Sequence, residues 1–233
     1  MNKYAVVTRS DNGVKSMSNL THPSIISYAK KCNADFIILD GEPPVMTEDN
    51  NPHYRIAYVY NVLKDYDRAI LLDTDMLVKK SCPNLFDVVP EDKIGTIYED
   101  VGNKQHDRRM RIRKIQQEWG DVGWETGYTN AGTTVVSKQH RDIFLPHNGE
   151  YYLPWGSADL HLSYMIHKHK FEVHELPFQY NHMSMFSDGQ GGTANRFDSY
   201  IIHYAGGGIF DAPNRIEQVR RDRDKLIEMG EMV

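Results

Sequence analysis

The sequence predicts an α/β protein folded as a single domain, with a mostly parallel central sheet flanked by helices. Three observations support this. Short apolar runs alternate with segments of helical periodicity, which is typical of βαβ units. Gly, Pro, Asp and Asn residues close the apolar runs, as they do at the ends of strands. No linker or repeat divides residues 1–233, and a chain of this length can form one substantial core.

The first half of the chain is predicted to contain three strands separated by two helices. Helices are predicted where apolar side chains recur three or four residues apart, as Ile56, Tyr60 and Leu63 do. The third strand is a buried run that ends directly at Asp73. Open sheets of this kind bind ligands at the carboxyl ends of their strands, which is where Asp73 falls. The predicted elements are the strands Tyr4–Thr8, Asp35–Leu39 and Arg68–Leu72 and the helices Pro23–Lys31 and Arg55–Leu63.

The second half is predicted to be less regular. An exposed basic helix falls between Glu99 and Trp124, with a cluster of cations over Lys104–Lys114. Asn130-Ala131-Gly132 is predicted either as a turn or as part of a site, because Asn and Gly favour turns. The remaining predictions are the strands Thr133–Ser137, Phe171–Glu175 and Tyr200–Tyr204, the helices Asp159–His167 and Asn214–Met229, and a Gly-rich loop over Ser184–Ser199.

Composition excludes several classes of protein. The net charge is −5, which argues against a dedicated nucleic-acid-binding or membrane-surface protein. Two cysteines, Cys32 and Cys82, are too few for a disulfide framework or a structural zinc site. No apolar run approaches the ~20 residues of a membrane span, and the first residues do not resemble a signal peptide. We therefore expect a cytoplasmic protein without an integral membrane segment.

The strongest chemical signal is the pair of acids in Asp73-Thr74-Asp75. Because the strand has ended, both carboxylates can turn toward one ion. Two like charges this close are costly unless a cation or a shared proton compensates them. Oxygen ligands indicate Mg²⁺ or Mn²⁺. The alternative is two solvated aspartates in a turn, which the preceding buried run disfavours.

A series of motifs resembles the glycosyltransferases of the GT-A fold, most of all family 8, which includes glycogenin and bacterial galactosyltransferases. The resemblance extends from Tyr4 to about Gly208 and implies a Rossmann-like sheet. It also implies a metal-dependent transfer of sugar from a nucleotide-sugar donor, most simply a UDP-sugar, to a glycan, protein or small-molecule acceptor. The matching motifs, in order, are His53–Ile56, Tyr66–Asp75, Asn130–Gly132, Asp159, Leu176–Asn181 and Ile202–Gly206.

The resemblance assigns roles residue by residue. Asp73, Asp75 and His203 would hold the cation, and a mixed carboxylate and imidazole shell favours Mn²⁺ over Mg²⁺. The donor would be bound by Thr8, Arg9, Ser10, Arg55 and Thr74 together with the two aspartates, and Asn130 and Asp159 would meet the donor sugar or the acceptor hydroxyl. We expect residues 1–100 to form the nucleotide-binding half and 101–210 the acceptor side, followed by a helix over 214–229. From the residues alone, Arg55 also fits an exposed helix position and His203 a hydrogen-bonded core residue.

The sequence departs from the family pattern at two places. Leu160 follows Asp159 where the family usually has Gln, and Gly206–Phe210 supplies no lysine to neutralise the leaving diphosphate. Arg196, Arg215 or the basic helix can replace that charge, and the sequence does not select among them. Net retention of configuration is implied by the resemblance, whereas an inverting enzyme would need a base such as Asp159 or Glu125. The loop Ser184–Ser199, with Gly189, Gly191 and Gly192, is a candidate lid.

Three other functions remain open from sequence. A haloacid-dehalogenase-like phosphatase also places Asp-x-Asp after an apolar strand, so that Asp73 would attack phosphorus and Asp75 would act as the acid. That family has Thr or Val where this chain has Leu77. A sugar-nucleotide nucleotidyltransferase needs a Gly-rich basic loop after the first strand, and residues 9–15 are only a faint version of one. A non-catalytic sugar-binding module is disfavoured by the three candidate metal ligands.

Overall fold

A six-stranded sheet forms the centre of the computed structural model, which describes residues 3–10, 13–187, 192–206 and 210–232. The sheet has the strand order β2-β1-β3-β6-β5-β7. Only β6 runs antiparallel to its neighbours, so the sheet is mainly parallel, as predicted. The strands are β1 (Tyr4–Arg9), β2 (Asp35–Leu39), β3 (Arg68–Leu72), β4 (Met76–Val78), β5 (Ile94–Tyr98), β6 (Thr129–Ser137), β7 (Val173–Glu175) and β8 (Ile201–His203).

Helices cover the sheet, and β4 pairs with β8 in a separate two-stranded antiparallel sheet. Short 3₁₀ segments precede α2 at His53–Tyr58 and follow β6 at Lys138–Phe144. The helices are α1 (Lys15–Lys31), α2 (Val59–Asp65), α3 (Leu85–Val88), α4 (Gln105–Trp119), α5 (Ser157–Lys168) and α6 (Arg215–Glu228).

Strand β3 separates two hydrophobic clusters. Its side chains alternate between the two faces of the sheet: Leu71 packs with the cluster under α2, α4 and α5, and Ile70 packs with the cluster under α1 and α3. Every residue of β3 is buried. A third cluster joins the β4–β8 sheet to α6 through Leu77, Ile202 and Val219. The strand that leads to Asp73 is therefore fixed from both sides.

Several predicted elements need correction. Helix α1 begins at Lys15, eight residues before the predicted start at Pro23, and continues through that proline. Strand β2 lies at the edge of the sheet and is partly exposed, not buried. The segment around Arg55 is 3₁₀, and the α-helix follows it.

Strands β4 and β5 were missed, and the motif at Asn130 is not a turn. Strand β4 has only 3 residues, too few for a periodic signal. Asn130, Ala131 and Gly132 all lie inside β6, which is buried along its whole length between β3 and β5. Burial and pairing of the strand therefore override the local turn preference of Asn and Gly. Among the described residues, no helix has the length and apolar character needed to span a membrane.

Candidate active site

The polar ends of β1 and β3 meet at one edge of the sheet and open into a large pocket. The two strands are parallel neighbours, so Arg9 and Asp73 leave the sheet on the same side. The pocket has a volume of about 860 Å³, within the usual size range of small-molecule sites. Among the residues that line it are Arg9, Ser10, His53, Arg55, Asp73, Thr74, Asp75, Glu99, Lys104, Arg108, Asn130, Trp155, Asp159, Met183, His203 and Arg215.

Asp73, Asp75 and His203 converge on one point of this pocket. Nε2 of His203 lies 3.3 Å from Oδ1 of Asp75 and 3.8 Å from Oδ2 of Asp73. One ligand atom from each of the three residues lies within 4.8 Å of the others. The two carboxylates are partly exposed, whereas the imidazole is buried, so a ligand can approach from the pocket.

The fold brings His203 to the aspartates through the small β4–β8 sheet. Met76 pairs with His203 in that sheet, and the backbone N–H of Tyr204 donates to the carbonyl of Asp75 at 3.0 Å. Gly132 of β6 leaves the necessary space, because a Cβ atom there would lie 2.6 Å from Cε1 of His203. A residue with no side chain is therefore required at this point of β6.

Asn181 fixes the orientation of the His203 ring. Its Oδ1 lies 2.7 Å from Nδ1 of His203, and its Nδ2 donates to Oδ1 of Asn130 at 2.8 Å. Because the amide nitrogen of Asn181 donates to Asn130, its oxygen faces the ring and accepts a hydrogen bond from the N–H at Nδ1. Nε2 is thereby turned toward the two carboxylates, as a metal-binding imidazole requires.

The charges of this cluster stabilise one another. Burial lowers the pKa of His203, but the carboxylates of Asp75 and Asp73 outweigh that effect and raise it above the usual value. Burial raises the pKa of Asp75, but His203 and Arg215 outweigh it, so the carboxyl titrates below its usual range. The site thus offers two carboxylates and one buried imidazole. This donor set fits a divalent cation such as Mn²⁺, which accepts both oxygen and imidazole ligands.

An arginine pairs with each aspartate. Arg9, at the end of β1, forms a salt bridge with Asp73, and its Nη1 donates to the carbonyl of His53 at 3.0 Å. Arg215, at the start of α6, donates from Nη1 to Oδ2 of Asp75 at 3.2 Å. The sequence left open Arg196, Arg215 and the basic helix as replacements for the missing lysine, and of these Arg215 is paired with an aspartate of the site.

The residues predicted to bind the donor fall into two groups. Arg9, Ser10, Arg55 and Thr74 line the pocket. Thr8 is fully buried in β1 and does not line it, and its hydroxyl has no hydrogen-bond partner among the described residues. Arg55 is also largely buried and donates from Nε to the carbonyl of Gly41 at 2.7 Å. It is therefore not an exposed helix residue.

Thr74 anchors the loop between the two aspartates. Its hydroxyl donates to the carbonyl of Arg9, and its own carbonyl accepts from the hydroxyl of Thr21 in α1. These bonds tie the end of β3 to β1 and to α1. The positions of Asp73 and Asp75 thus depend on contacts with two other elements.

Asn130 and Asp159 occupy the floor of the pocket beside Glu99. The amide of Asn130 donates to Glu99, and its Oδ1 accepts from the N–H of Gly132 at 2.9 Å. Asp159, in the first turn of α5, accepts from the N–H of Ala131 at 2.8 Å. Burial, and after it the charge of Glu99, raises the pKa of Asp159 to about 7. Asp159 is thus poised to lose or hold a proton near neutral pH.

An aromatic and basic rim borders the other side of the pocket. Trp155 is 57% exposed and precedes α5 by two residues. The guanidinium carbon of Arg111 lies 3.7 Å from the centre of its ring, and that of Arg108 lies 4.9 Å away. Arg108 is also paired with Glu99 at 2.7 Å. Two guanidiniums of α4 thus lie over the indole ring.

Other residues considered from sequence lie elsewhere. Glu125 is exposed and does not line the pocket. Arg196 pairs with Asp222 at 2.8 Å, away from the aspartates. Of the candidate lid, Ser184 and Met185 border the pocket, while Gly189 and Gly191 lie outside the described residues.

Sequence reasoning gave no role to several residues that the structure brings to the site. Asn181 stands inside a quoted motif, but its position in the chain gives no sign that its amide contacts the candidate ligand His203. Glu99 follows the missed strand β5. His53 also stands in a quoted motif, and Trp155 falls outside every motif of the resemblance. Arg215 was only one of the alternatives for the missing lysine.

Comparisons with known proteins identify one family by sequence profile and one fold by structure. The sequence profile of glycosyl transferase family 8 matches residues 42–208. No curated protein sequence matches the chain. Among solved structures, a glycosyltransferase involved in the glycosylation of the major capsid of PBCV-1 superposes with a TM-score of 0.58 and 12% identity, over 94% of this chain and 99% of that one.

Two further structures share the fold. Galactosyltransferase LgtC, solved with donor and acceptor sugar analogues, has a TM-score of 0.53 and 14% identity, over 97% of this chain and 95% of that one. The bifunctional glycosyltransferase WbbM, solved without ligands, has a TM-score of 0.64 and 13% identity over 97% of this chain. The match spans 51% of the WbbM chain. At such identities the structural likeness establishes the GT-A fold alone.

Proposed function

This chain belongs to glycosyl transferase family 8 and is a glycosyltransferase, and from that premise we propose that it uses a divalent cation and a nucleotide-sugar donor. The observation that carries the proposal is the convergence of Asp73, Asp75 and His203 at the mouth of a pocket of about 860 Å³. We propose Mn²⁺ as the cation because the ligand set mixes carboxylate and imidazole, and UDP as the nucleotide because of the family resemblance.

The chemistry follows from where charge develops. Cleavage of the bond between sugar and phosphate places negative charge on the leaving diphosphate. A cation bound by Asp73, Asp75 and His203 would stabilise that charge, an effect worth several kcal/mol in metalloenzymes. Arg9 and Arg215, each beside one of the aspartates, supply further positive charge to the same end of the pocket.

The remaining donor contacts are assigned by position. Ser10 and Arg55 line the pocket near Arg9 and are proposed to bind the nucleotide and the diphosphate. Asp159 is proposed to bind a hydroxyl of the donor sugar, because its carboxyl reaches the pocket and its pKa of about 7 lets it donate or accept a proton. Asn130 is proposed as a positioning residue, because Glu99 and Asn181 occupy its amide.

The acceptor is proposed to bind against the rim formed by Trp155, Arg108 and Lys104. These residues line the side of the pocket that the sequence assigned to the acceptor half, 101–210. An exposed indole supported from behind offers a flat apolar face to a sugar ring. Lys104 and the arginines of α4 also favour an acceptor that carries negative charge.

We propose net retention of configuration. The family resemblance implies retention. Of the acids that could serve an inverting enzyme as the base, Glu125 does not line the pocket and Glu99 is paired with Arg108, whereas Asp159 is assigned above to the donor sugar. The anomeric coupling constant of the product in proton NMR decides this point: an α-linked donor giving a β-linked product would contradict retention.

Isothermal titration calorimetry with UDP, with and without Mn²⁺, tests the metal and the donor together. We expect binding that depends on Mn²⁺ in the wild type and is lost in Asp75→Asn, which keeps the shape of the side chain. Asp65→Asn, an exposed acid on α2, is the matched control and should bind normally. Binding that is independent of the metal, or equal in Asp75→Asn, would refute the metal role. GDP and CDP in place of UDP test the nucleotide.

The phosphatase reading of Asp73-Thr74-Asp75 is not favoured. Family membership disfavours it, and Asp73 is already engaged by Arg9, so it is not free as a nucleophile. Incubation with a UDP-sugar and, separately, with a sugar phosphate distinguishes the two chemistries by product. A glycosyltransferase releases UDP when it transfers or hydrolyses the sugar of the UDP-sugar. A phosphatase releases inorganic phosphate from the sugar phosphate, which carries the phosphate monoester that a UDP-sugar lacks.

A further inference from the structure

Each carboxylate of the site faces in two directions. Oδ2 of Asp73 and Oδ1 of Asp75 face Nε2 of His203, at 3.8 and 3.3 Å. Their other oxygens face away from the imidazole and receive a guanidinium each: Oδ1 of Asp73 binds Arg9, and Oδ2 of Asp75 lies 3.2 Å from Nη1 of Arg215. The inward oxygens are therefore the ones open to a cation, while the outward ones are already neutralised.

This arrangement penalises a cation that arrives alone. The two carboxylates and the two guanidiniums have a formal sum of zero, so the site lacks the net negative charge that would attract a divalent ion. Arg9 and the two aspartates are each less than a fifth exposed, which limits screening by water and salt. A divalent ion between the inward oxygens is thus placed close to two fixed positive groups.

The same arrangement restrains an anion that arrives alone. The guanidiniums of Arg9 and Arg215 are the positive groups nearest the aspartates, but each has a carboxylate beside it that repels a phosphate. Arg215 nevertheless has N–H groups that are not used within the described part of the protein. Its hydrogen bonds to the described residues all come from Nη1, to Asp75, Tyr204 and Gly206, so Nε and Nη2 remain available to a ligand.

We propose that Arg9 and Arg215 are shared counter-ions that make the metal and the nucleoside diphosphate bind cooperatively. The proposal rests on the proposed function, namely that both ligands occupy this site. Once a divalent cation lies between the inward oxygens, the excess positive charge is balanced by a diphosphate that bridges the cation and the two guanidiniums. Each ligand removes the penalty that the other meets alone, and the coupling must be equal in both directions.

Arg215 also supplies the charge that the missing lysine would have provided. It lies at the start of α6, in a different part of the chain from the glycine run after His203. Arg196 cannot neutralise the diphosphate in this way, because it is paired with Asp222, which also accepts a hydrogen bond from Tyr204. The geometry therefore selects Arg215 from the candidates that the sequence left open.

The test measures each ligand alone and both together. Binding of Mn²⁺ is followed by the electron paramagnetic resonance signal of the free ion, with and without saturating UDP, and binding of UDP by calorimetry, with and without Mn²⁺. For the wild type we expect each ligand to strengthen the other by roughly 10- to 100-fold, within the usual range of coupling between sites. The variants are Arg215→Gln and Arg9→Gln. Arg220→Gln, in an exposed pair with Glu217 on the same helix, is the control.

Arg215→Gln should change the two affinities in opposite directions. Mn²⁺ alone should bind several-fold tighter, because a repelling charge is gone, whereas UDP in the presence of Mn²⁺ should bind roughly 10-fold weaker, and the coupling should shrink accordingly. Arg9→Gln should likewise strengthen the binding of Mn²⁺ alone and weaken the binding of UDP in the presence of Mn²⁺. Arg215→Lys, which keeps the charge without the fork, should keep the weak binding of Mn²⁺ alone and recover part of the UDP affinity.

The possible results separate this proposal from the proposed function. A parallel loss of both affinities in Arg215→Gln would mean a structural role and overturn the proposal, as would unchanged coupling. In either case Mn²⁺-dependent binding of UDP by the wild type would leave the proposed function standing. A wild type that binds no UDP, GDP or CDP with Mn²⁺ overturns both. Thermal unfolding of the variants identifies any that fail to fold, and the exposed control fixes the baseline.

Discussion

Nδ1 of His203 donates a hydrogen bond of 2.7 Å to Oδ1 of Asn181, and both side chains are buried. The contact is the end of a chain of amides, because Asn181 donates to Asn130 and Asn130 donates to Glu99. The orientation of a candidate metal ligand is thereby set by residues on three other segments. This series of hydrogen bonds continues from Glu99 to Arg108 of α4, so the metal side and the acceptor side of the pocket share one network.

Removing the Asn181 amide should weaken the metal site without touching a ligand. In Asn181→Leu, which has a similar shape, Nδ1 loses its acceptor and Nε2 is no longer fixed toward the aspartates. We expect the affinity for Mn²⁺ to fall roughly 10- to 100-fold, the usual effect of losing such a partner. The free-ion signal in electron paramagnetic resonance measures it.

Stability must be followed in the same variant, because Oδ1 of Asn130 also loses a donor. A buried polar group left with fewer partners costs about 1–3 kcal/mol, so the melting temperature should fall by several degrees. Asn181→Asp separates the two effects, since its carboxylate still accepts from Nδ1 but cannot donate to Asn130. A metal affinity that is unchanged in Asn181→Leu would show that the amide does not position His203.

Gly132 should tolerate no side chain. A Cβ atom there would lie 2.6 Å from Cε1 of His203 and 2.7 Å from Oδ1 of Asn130, both in buried side chains. We therefore expect Gly132→Ala to displace the imidazole, lowering both the melting temperature and the affinity for Mn²⁺. The cost of such overpacking is typically about 1–3 kcal/mol.

Gly41→Ala is the matched control for this prediction. A Cβ atom at Gly41 would meet only a side-chain carbon of Tyr58 at 3.8 Å, an ordinary contact. It should leave metal binding unchanged. Normal Mn²⁺ binding in Gly132→Ala would instead mean that the ring of His203 can move aside without loss of the site.

The parts of the fold and site that were predictable are those with local signals. The buried run of β3 and the acids that follow it can be recognised within ten or so residues, because the period of a strand and the position of its end are local properties. The mainly parallel sheet follows from the alternation of strands and helices. His203 was placed only by resemblance, since nothing near it in sequence marks it as a ligand.

The rest depended on pairing between distant segments. Asn130 and Gly132 have the composition of a turn, but Asn130 pairs with Ile97 of the missed strand β5, and the carbonyl of Gly132 accepts from the N–H of Asp73. Arg215 is one of several cations in α6, and only the approach of its helix to Asp75 distinguishes it. Tertiary contacts of this kind leave no periodic trace in the sequence.

Asp159 should make the folded protein less stable as the pH rises. An unfolded aspartate loses its proton near pH 4, whereas burial, reinforced by Glu99, holds the proton of Asp159 to about pH 7 in the fold. Below pH 4 both states are protonated and the group contributes nothing. Between these values the unfolded state is increasingly favoured, and above pH 7 the penalty is constant.

The neutral variant Asp159→Asn removes this penalty and can still accept from the N–H of Ala131. We expect its melting temperature to exceed that of the wild type by several degrees at pH 8 and by much less at pH 5. Glycosyl transfer should fall at the same time if Asp159 binds the donor sugar. A difference in melting temperature that does not change with pH would show that Asp159 is ionised normally in the fold.

Trp155 should determine the affinity for the acceptor and not for the donor. Its indole is 57% exposed at the rim, with Arg111 3.7 Å from the ring centre on one side, so the ring is supported while remaining open to the pocket. Loss of one aromatic contact to a sugar is worth about 0.5–1.5 kcal/mol, so we expect Trp155→Ala to raise the acceptor KM roughly 3- to 10-fold.

The comparison that isolates this effect uses donor hydrolysis, which needs no acceptor. Its rate should be unchanged in Trp155→Ala, and Trp155→Phe, which keeps a ring, should recover most of the acceptor affinity. Met110→Ala, which removes a side chain that is 52% exposed on α4, controls for loss of apolar surface nearby.

Simple acceptors such as lactose, maltose and methyl glycosides identify a sugar that supports transfer, and the KM is then measured with that sugar. If donor hydrolysis falls together with transfer in Trp155→Ala, the indole supports the donor site, and the acceptor must approach from another side of the pocket.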